Sequence, residues 1–461
     1  MPDLLGNLTL AARALEAQQR GLEVAGQNIA NVNTPGYARR VVDLVSVAPA
    51  DNLSAGNGVV ATGVRAMRDR QLDRRLFQEI PGQAGQAAAA DQLSIVETIF
   101  GTAGQSIDGR LSALHDAFSL LAENSQSTTA RNQVQQAARS LAGEFTSVNQ
   151  RLLSVRQDAD VSVRAAADEL NSLADQVARA NRNLSGGSQA AIADVQDKET
   201  ELVRQISELA NIGVNLRTDG GIDLSFADGR PLVVGGSAYS VTVQSTPPDG
   251  MASLISNGTA VEDELSGGRL GGLLRVRDVL LPAYQTQLDT LAQGVADEFN
   301  AIHSTGYDQT GSAGGDLFTV TTTPPDVSGA ARTFAVSAAV NADAQCIVAG
   351  ATTDAGDNSQ AKALAALRDA RVLNGGTTTM TEAWGQLVFA VGRDSASASQ
   401  EADTQKAIVS QLDSLRDQVS GISLDEEAMQ MLKFQRAYEA NARYFSAVSQ
   451  TLDLLLQTVG R

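Results

Sequence analysis

Residues 424–459 read LDEEAMQMLKFQRAYEANARYFSAVSQTLDLLLQTV, and this stretch decides the fold. Its apolar residues recur at alternating steps of three and four, which is the spacing of a coiled-coil seam. One polar residue, Asn441, interrupts the seam. The seam residues are Met431, Phe434, Tyr438, Asn441, Phe445, Val448, Leu452 and Leu455. We therefore expect one long amphipathic helix here.

The first thirty residues repeat this pattern, with Gln18 as the polar member of the seam. The larger seam residues are Leu4, Leu8, Leu15, Gln18, Leu22 and Ile29. A single stripe of this kind is usually an ordinary amphipathic core helix. Two matched stripes at opposite ends predict that the two ends meet and favour an assembly interface. Gln18 and Asn441 either set the register of the seam or lie solvated at its edge.

The composition separates the two ends from the middle. The chain has 461 residues, 43% of them hydrophobic, and a net charge of −18. Residues 1–40 carry charges of +4 and −3 and residues 424–461 carry +4 and −5, so the middle holds the whole excess of negative charge. An acidic protein of this kind is not expected to bind nucleic acid or an anionic membrane. Neutral ends suit burial against other chains.

The single cysteine, Cys346, cannot form an internal disulfide bond, and we interpret it as a small buried thiol. The sequence has no run of about 18 apolar residues, so no membrane span is expected. The first residues lack the basic and apolar regions of a cleaved secretory signal. We therefore expect either cytoplasmic residence or export without a cleaved signal.

The middle of the chain begins with helical patterns from about residue 83 to residue 211. The longest pattern runs from Val134 to Ala159 and, after a four-residue stutter, continues from Val163 to Leu184. An unbroken helix of this length spans about 80 Å, which predicts an elongated body. Residues 212–246 instead alternate with a period of two around Asp-Gly turns, which predicts a small antiparallel sheet.

The order of these patterns predicts nested, discontinuous domains in a mainly α protein with a smaller β-rich part. Residues 1–50 and 422–461 are expected to form a terminal-helix coiled coil, the inner part of the assembly. Residues 51–211, 268–305 and 358–421 are expected to form a rod-like bundle of long helices. Residues 212–267 and 306–357 are expected to form an inserted antiparallel β domain.

A turn signature follows the first helix, because proline stops a helix and glycine permits a positive φ. Residues 30–37 read ANVNTPGY, and this resembles the N-terminal signature of bacterial flagellar axial proteins. The turn residues are Asn31, Asn33, Thr34, Pro35, Gly36 and Tyr37. Local capping of the backbone is expected of Asn31, Asn33 and Gly36, with subunit contact as an addition.

Further stretches narrow the resemblance. Residues 420–427 (SGISLDEE) and 434–443 (FQRAYEANAR) are similar to the C-terminal pattern of the flagellar hook-associated protein 1 family. Residues 228–233 (DGRPLV), residues 299–303 (FNAIH) and residues 356–358 (GDN) resemble internal stretches of the same family. These similarities are spread over nearly the whole length of the chain.

The resemblance implies a structural protein of the flagellum. It implies export as an unfolded chain by the flagellar type III apparatus, and a homo-oligomeric ring outside the cell at the hook–filament junction. The implied partners are the hook protein, hook-associated protein 3 and an export chaperone at the C-terminal helix. We expect the ends to be disordered in the monomer and ordered on assembly, which couples folding to binding.

Catalytic, cofactor and metal sites are not expected. His115 and His303 have no partners in an HExxH or CxxC pattern, and residues 267–272 lack the ending of a phosphate-binding loop. Two alternatives stay open. A hook or rod protein would have an almost wholly β middle, and a flagellum-borne extracellular hydrolase would need a pair of carboxylates in a cleft.

Overall fold

The structure is a computed structural model that describes residues 2–48, 58–101, 104, 106–184, 189–247, 249–323 and 325–459. The helices are α1 (Pro2–Ala30), α2 (Arg70–Phe100), α3 (Ile107–Glu123), α4 (Thr128–Asn183), α5 (Gln189–Leu209), α6 (Gly268–Arg275), α7 (Leu281–His303), α8 (Ala330–Thr333), α9 (Ala338–Ala342), α10 (Ser359–Ala366), α11 (Met380–Ser420) and α12 (Leu424–Val459). A π-helical turn, Val276–Leu280, joins α6 to α7.

The strands are short and antiparallel. They are β1 (Arg40–Ser46), β2 (Val59–Ala66), β3 (Gly213–Leu216), β4 (Ile222–Ser225), β5 (Pro231–Val234), β6 (Ser237–Ala238), β7 (Val241–Thr246), β8 (Met251–Ser256), β9 (Thr259–Ala260), β10 (Phe318–Thr319) and β11 (Ala335–Val336). Strands β1 and β2 form a hairpin, β3 to β6 form one sheet in chain order, and β7 to β9 form another. The prediction of a mainly α protein with a smaller antiparallel β part is confirmed.

Helix α1 contacts α12, and it also contacts both strands of the β1–β2 hairpin. The prediction that the two ends of the chain meet is therefore confirmed. The expected boundary between residues 50 and 51 lies outside the described residues.

Helix α4 has 56 residues, about 84 Å at 1.5 Å per residue, and it connects two separate hydrophobic clusters. The first cluster contains its N-terminal half, from Ala130 to Val155, with side chains of α2, α3, α7 and α11. The second contains its C-terminal half, from Val163 to Ala178, with α5, α6 and the β3–β9 sheets. The change of cluster falls at the stutter that the sequence shows.

The segment 306–357 differs from its expected place. Its buried residues, among them Phe318, Phe334 and Ile347, belong to the first cluster, whereas the sheets of residues 212–267 belong to the second. Its strands β10 and β11 have only two residues each, and it also contains α8 and α9. The two segments therefore do not share one β-rich core, because each packs against a different half of α4.

Ser423 and Glu426 have the spacing of a helix capping box, which predicts that each side chain bonds to a backbone N–H of the other. The start of α12 departs in part from this prediction. The backbone N–H of Glu426 donates to the Ser423 hydroxyl at 3.4 Å, as a helix cap requires. The Glu426 carboxylate, however, forms an ion pair with Arg39 at 3.1 Å. This carboxylate is thus engaged in tertiary structure at the residue where the two ends of the chain join.

Candidate assembly site

The contact between α1 and α12 is centred on small residues. On α1 the buried positions are Ala11, Ala17, Gly21, Val24, Ala25 and Asn28. A Cβ atom on Gly21 would lie 2.6 Å from the Phe434 ring, so the ring fits only because this position has no side chain. Small residues at a crossing allow the closest approach of two helices, and the larger side chains then flank it.

The predicted seam residues lie around this centre. Eleven are half-buried, namely Leu4, Leu8, Leu15, Gln18, Leu22, Ile29, Met431, Phe434, Asn441, Phe445 and Leu452. Val448 is buried, while Tyr438 and Leu455 are exposed. On α1 the buried residues Ala17, Gly21 and Asn28 thus lie one position before the predicted seam residues Gln18, Leu22 and Ile29.

Further apolar side chains of the same two helices are exposed. One lies on α1 and six lie on α12, namely Leu5, Leu424, Met429, Leu432, Tyr444, Leu454 and Leu456. Leu454 and Met429 are each 65% exposed. Exposed apolar surface of this extent is typical of a protein that binds another protein. Within the described part of α12, only Glu427 and Val448 are buried.

The turn after α1 is held by short-range hydrogen bonds. The Asn31 side chain donates to the Gln27 carbonyl at 2.9 Å, and the Thr34 hydroxyl donates to the Asn31 side chain at 3.1 Å. Gly36 has φ of +76°, and a Cβ atom there would lie 3.0 Å from the side chain of Glu201 on α5. Both the left-handed backbone and the close approach require glycine at this position.

The other turn residues differ in exposure. Asn33, Thr34 and Pro35 are exposed, whereas Asn31, Gly36 and Tyr37 are half-buried. Tyr37 donates from its hydroxyl to the Asn28 side chain at 3.1 Å. Burial raises the pKa of Tyr37, and the nearby Arg40 cation offsets part of this change. The half-buried members thus face the protein interior, and the exposed members are free to contact other chains.

Asn28 is the centre of a buried polar cluster that joins α1, β1 and α12. Its amide nitrogen donates to the Arg40 carbonyl and to the Glu427 carboxylate, each at 2.9 Å. Its amide oxygen accepts from the Arg40 backbone N–H at 2.9 Å. Glu427, which is also buried, accepts from Arg39 at 2.7 Å. A buried amide and carboxylate with these partners are satisfied and fix one register between the two helices.

Two arginines tie this cluster to α5. Arg40 forms ion pairs with Asp194 and, at 3.0 Å, with Asp197. Arg68 pairs with the other oxygen of Asp197 at 2.7 Å and donates to the Gly36 carbonyl at 3.3 Å. Burial raises the pKa of Asp197, while the cations of Arg68 and Arg40 counter this change. We name these residues the turn clamp: Asn28, Tyr37, Arg39, Arg40, Arg68, Asp197 and Glu427.

Most of the turn clamp escapes sequence reasoning. Asn28 is a polar residue next to the predicted seam residue Ile29, and this polar interruption of the apolar stripe is the sequence signal that could have identified it. Arg68 belongs to a run of arginines for which a solvated face is the ordinary interpretation, with pairing to neighbouring acidic subunits as the alternative. Arg68 instead pairs within its own chain.

Both histidines make contacts that stabilise the fold. His115 lies stacked on Phe299, and burial lowers its pKa to about 4. His303 donates from Nδ1 to the Gly315 carbonyl at 2.6 Å and accepts at Nε2 from the Val348 N–H at 3.0 Å. Among the described residues, no group of three or more His, Cys, Asp or Glu side chains is arranged to hold a metal ion. None of the described helices is long and apolar enough to cross a membrane.

Family comparisons agree with this architecture. Residues 93–318 match the family described as "Flagellar hook-associated protein FlgK helical domain". Residues 8–37 match "Flagella basal body rod protein", and residues 417–458 match "Flagellar basal body rod FlgEFG protein C-terminal". The terminal matches thus cover most of α1 and α12, and the helical-domain match covers the part of the middle from α2 to β10.

Full-length relatives carry one name. The chain is 25% identical to flagellar hook-associated protein 1 of Escherichia coli (strain K12), over 99% of this chain and 100% of the relative. It is 26% identical to the protein of that name from Bacillus subtilis (strain 168), over 98% of both chains. It is 24% identical to that of Salmonella typhimurium (strain LT2), over 97% of this chain and 98% of the relative.

A solved structure shows the same fold. The structure of the flagellar hook junction protein FlgK from Burkholderia pseudomallei superposes with a TM-score of 0.67, at 17% identity, over 75% of this chain and 100% of that chain. Relatives over nearly the whole length, a matching helical domain and a shared fold agree with one another. Over nearly its whole length the chain is thus similar to proteins named flagellar hook-associated protein 1, and it shares the fold of a flagellar hook junction protein.

Proposed function

We propose that the protein is a structural component of the bacterial flagellum that assembles at the distal end of the hook and connects the hook to the filament. The observation that carries this proposal is the similarity to hook-associated protein 1 relatives over 97 to 99% of the chain. The helical middle, α2 to α5, argues against a hook or rod protein, for which a β-rich middle is expected. The comparisons give no support to a hydrolase.

Self-assembly into a ring is supported by the surface of the terminal helices. Their exposed apolar residues, such as Leu5, Leu454 and Leu456, have no cover in the single chain. Burying apolar surface contributes about 25 cal/mol per Å², so contact with neighbouring copies would be strongly favourable. The predicted seam and turn residues are proposed to face or support these neighbours.

Two different partners are proposed for the two ends of the ring. The hook protein would contact one side and hook-associated protein 3 the other. Before export, a chaperone would cover α12, whose apolar side chains are largely exposed. Export would proceed without a cleaved signal, and the assembled protein would lie outside the cell. We also propose that the protein has no catalytic role, in line with the structural names of its relatives.

A deletion strain tests the proposed function. Cells that lack the protein are expected to form hooks without filaments and to release filament subunits into the medium, as seen by electron microscopy and immunoblotting. Normal filaments in the deletion strain would contradict the proposal.

Point variants test the proposed surface. Leu454→Asp combined with Leu456→Asp is expected to abolish filament formation, because charge would enter the contact between copies. The matched control is Leu120→Asp on α3, which also changes an exposed leucine to aspartate but lies outside the terminal helices. This control is expected to keep filaments. Wild-type filament number in the double variant would show that this surface is not used.

A further inference from the structure

Glu199 is a buried carboxyl group without a partner. It lies on α5, two residues after the turn-clamp residue Asp197, and it is 0% exposed. Neither of its carboxylate oxygens has a hydrogen-bond partner. A buried group of this kind is unfavourable in its charged form, because neither water nor a donor stabilises the charge. Nothing in the proposed assembly role accounts for it.

A small cavity lies beside Glu199, between α5, α2 and the first sheet. Its volume is about 60 Å³, which is room for only a few water molecules. Apolar side chains from β3 and β4 form one wall, and three arginines form part of another. The polar and charged residues of its lining are Arg68, Arg70, Asp73, Arg74, Gln196, Glu199 and Thr200.

Charged groups from the β3–β4 turn and from the start of α2 surround Glu199. Asp219, in the turn between β3 and β4, opposes ionisation of Glu199 and is itself paired with Arg217 at 2.7 Å. Arg68, which precedes α2, favours ionisation. Arg70, Asp73 and Arg74 of α2 line the same cavity. Arg68 is thus a cation that both acts on Glu199 and belongs to the turn clamp.

The bonds of Arg68 couple the cavity to the turn after α1. Besides Asp197 and the Gly36 carbonyl, its guanidinium bonds to the Gln196 carbonyl at 3.2 Å and to the Thr200 hydroxyl. Every one of these bonds depends on where the guanidinium lies. A new negative charge in the cavity would compete for the same cation, which has only five N–H donors.

We propose that Glu199 is a proton-sensitive switch that, on losing its proton, draws Arg68 away from Asp197 and Gly36 and so loosens the turn clamp. At low pH the neutral carboxyl group leaves Arg68 on the clamp. At higher pH the carboxylate requires a donor, and Arg68, which lines the same cavity, provides one by leaving its bonds in the turn clamp.

The pH range follows from the acid strength of the group. Burial raises the pKa of Glu199 to about 7 from an ordinary value of 4.5. A raised pKa means that the closed state holds the proton more tightly than an open state does. The closed state is therefore most favoured below pH 4.5, and it loses stability as the pH rises to about 7. Between pH 6 and pH 8.5 the opening equilibrium is expected to increase by up to about tenfold.

Trypsin cleavage after Arg39 and Arg40 reports opening of the turn. The cleavage rate at these two sites would be measured by mass spectrometry at pH 6.0 and 8.5, and divided by the rate on an unstructured peptide at the same pH. The wild-type rate is expected to rise by up to about tenfold. Glu199→Gln and Glu199→Met are expected to remove this rise. Glu208→Gln, an exposed glutamate on the same helix, is expected to keep it.

The Arg68→Met variant separates the switch from other pH effects. Without this arginine the turn is expected to be cleaved rapidly at both pH values. A wild-type rate that does not change with pH would overturn the proposal, as would a pH response that survives in Glu199→Gln. A pH response that survives in Arg68→Met would contradict the proposed movement of Arg68 from the turn clamp to Glu199. Circular dichroism of each variant establishes that it is folded.

Discussion

Gly21 shows how one residue sets the geometry of the terminal pair. Its Cα–H surface lies against the Phe434 ring, and the buried residues on either side of it, Ala17 and Val24, continue the same line. The seam pattern points to the neighbouring Leu22, because hydrophobicity patterns register large apolar residues and pass over glycine. Packing between two helices is decided by the space at the closest point, where absence of a side chain counts as much as presence.

Gly21→Ala is expected to weaken the pairing of α1 and α12 by about 1–3 kcal/mol, since the added methyl group would overlap the Phe434 ring. The matched control is Gly26→Ala on the same helix, where a Cβ atom meets nothing within 4 Å. There alanine is expected to stabilise α1 by about 0.5–1 kcal/mol through its helix propensity. Hydrogen exchange of the α1 and α12 amides measures the change in helix pairing in both variants. Slower exchange in both variants would show that the close contact does not form.

Asn28 makes the same point for polar residues. A sequence pattern treats an amide in an apolar stripe as an edge residue, yet Asn28 bonds to three different residues in the interior. Its partners Arg40 and Glu427 are 12 and 399 positions away along the chain. Only the tertiary structure brings these groups within hydrogen-bond distance.

At the scale of elements, α4 is the clearest success of the sequence pattern. The predicted repeat, its stutter and its length agree with a helix of 56 residues that contributes buried side chains to two clusters. The π-helical turn between α6 and α7 and the short helices α8 and α9 are not predicted. Elements this short carry too few residues for periodicity to be read, although each of them contacts α4 in the fold.

Helix α6 lies so close to α2 that one of its positions has no room for a side chain. Its glycine-rich start caps and opens the helix, and a Cβ atom on Gly272 would overlap the carbonyl oxygen of Gly85 on α2. Backbone atoms cannot rotate away as a side chain can. The two helices must therefore separate if this position gains a side chain.

Gly272→Ala is accordingly expected to lower the free energy of unfolding by about 1–3 kcal/mol. Gly143→Ala on the exposed face of α4 is the control, because a Cβ atom there meets nothing within 4 Å. Urea unfolding followed by circular dichroism gives both free energies of unfolding. Equal stability of the two variants would contradict the close approach of α6 and α2.

At the scale of the whole molecule, burial is distributed unevenly. Among the described residues, the two clusters along α4 contain most of the buried apolar side chains, whereas α12 has only two buried residues, Glu427 and Val448. The turn clamp, at one end of the α1–α12 pair, joins it to α5. Regions with few buried contacts open at low free-energy cost.

Limited proteolysis of the purified protein is therefore expected to cut first within residues 2–27 and 431–459, while the two clusters along α4 resist. Mass spectrometry of the early fragments identifies the sites. Assembled protein is expected to resist at the same positions, since neighbouring copies would cover them. Equal resistance along the whole monomer would count against ends that become ordered on assembly.

The sequence by itself determined the helical class, the long α4, the antiparallel sheets and the pairing of the two ends. These features follow from periodicity and turn residues, which act between near neighbours in the chain. The tertiary structure alone decided which residues centre the α1–α12 contact, which half of α4 each inserted segment packs against, and how Arg39, Arg40 and Arg68 find their acidic partners. Those outcomes depend on distances between residues far apart in sequence, and local pattern carries no information about such distances.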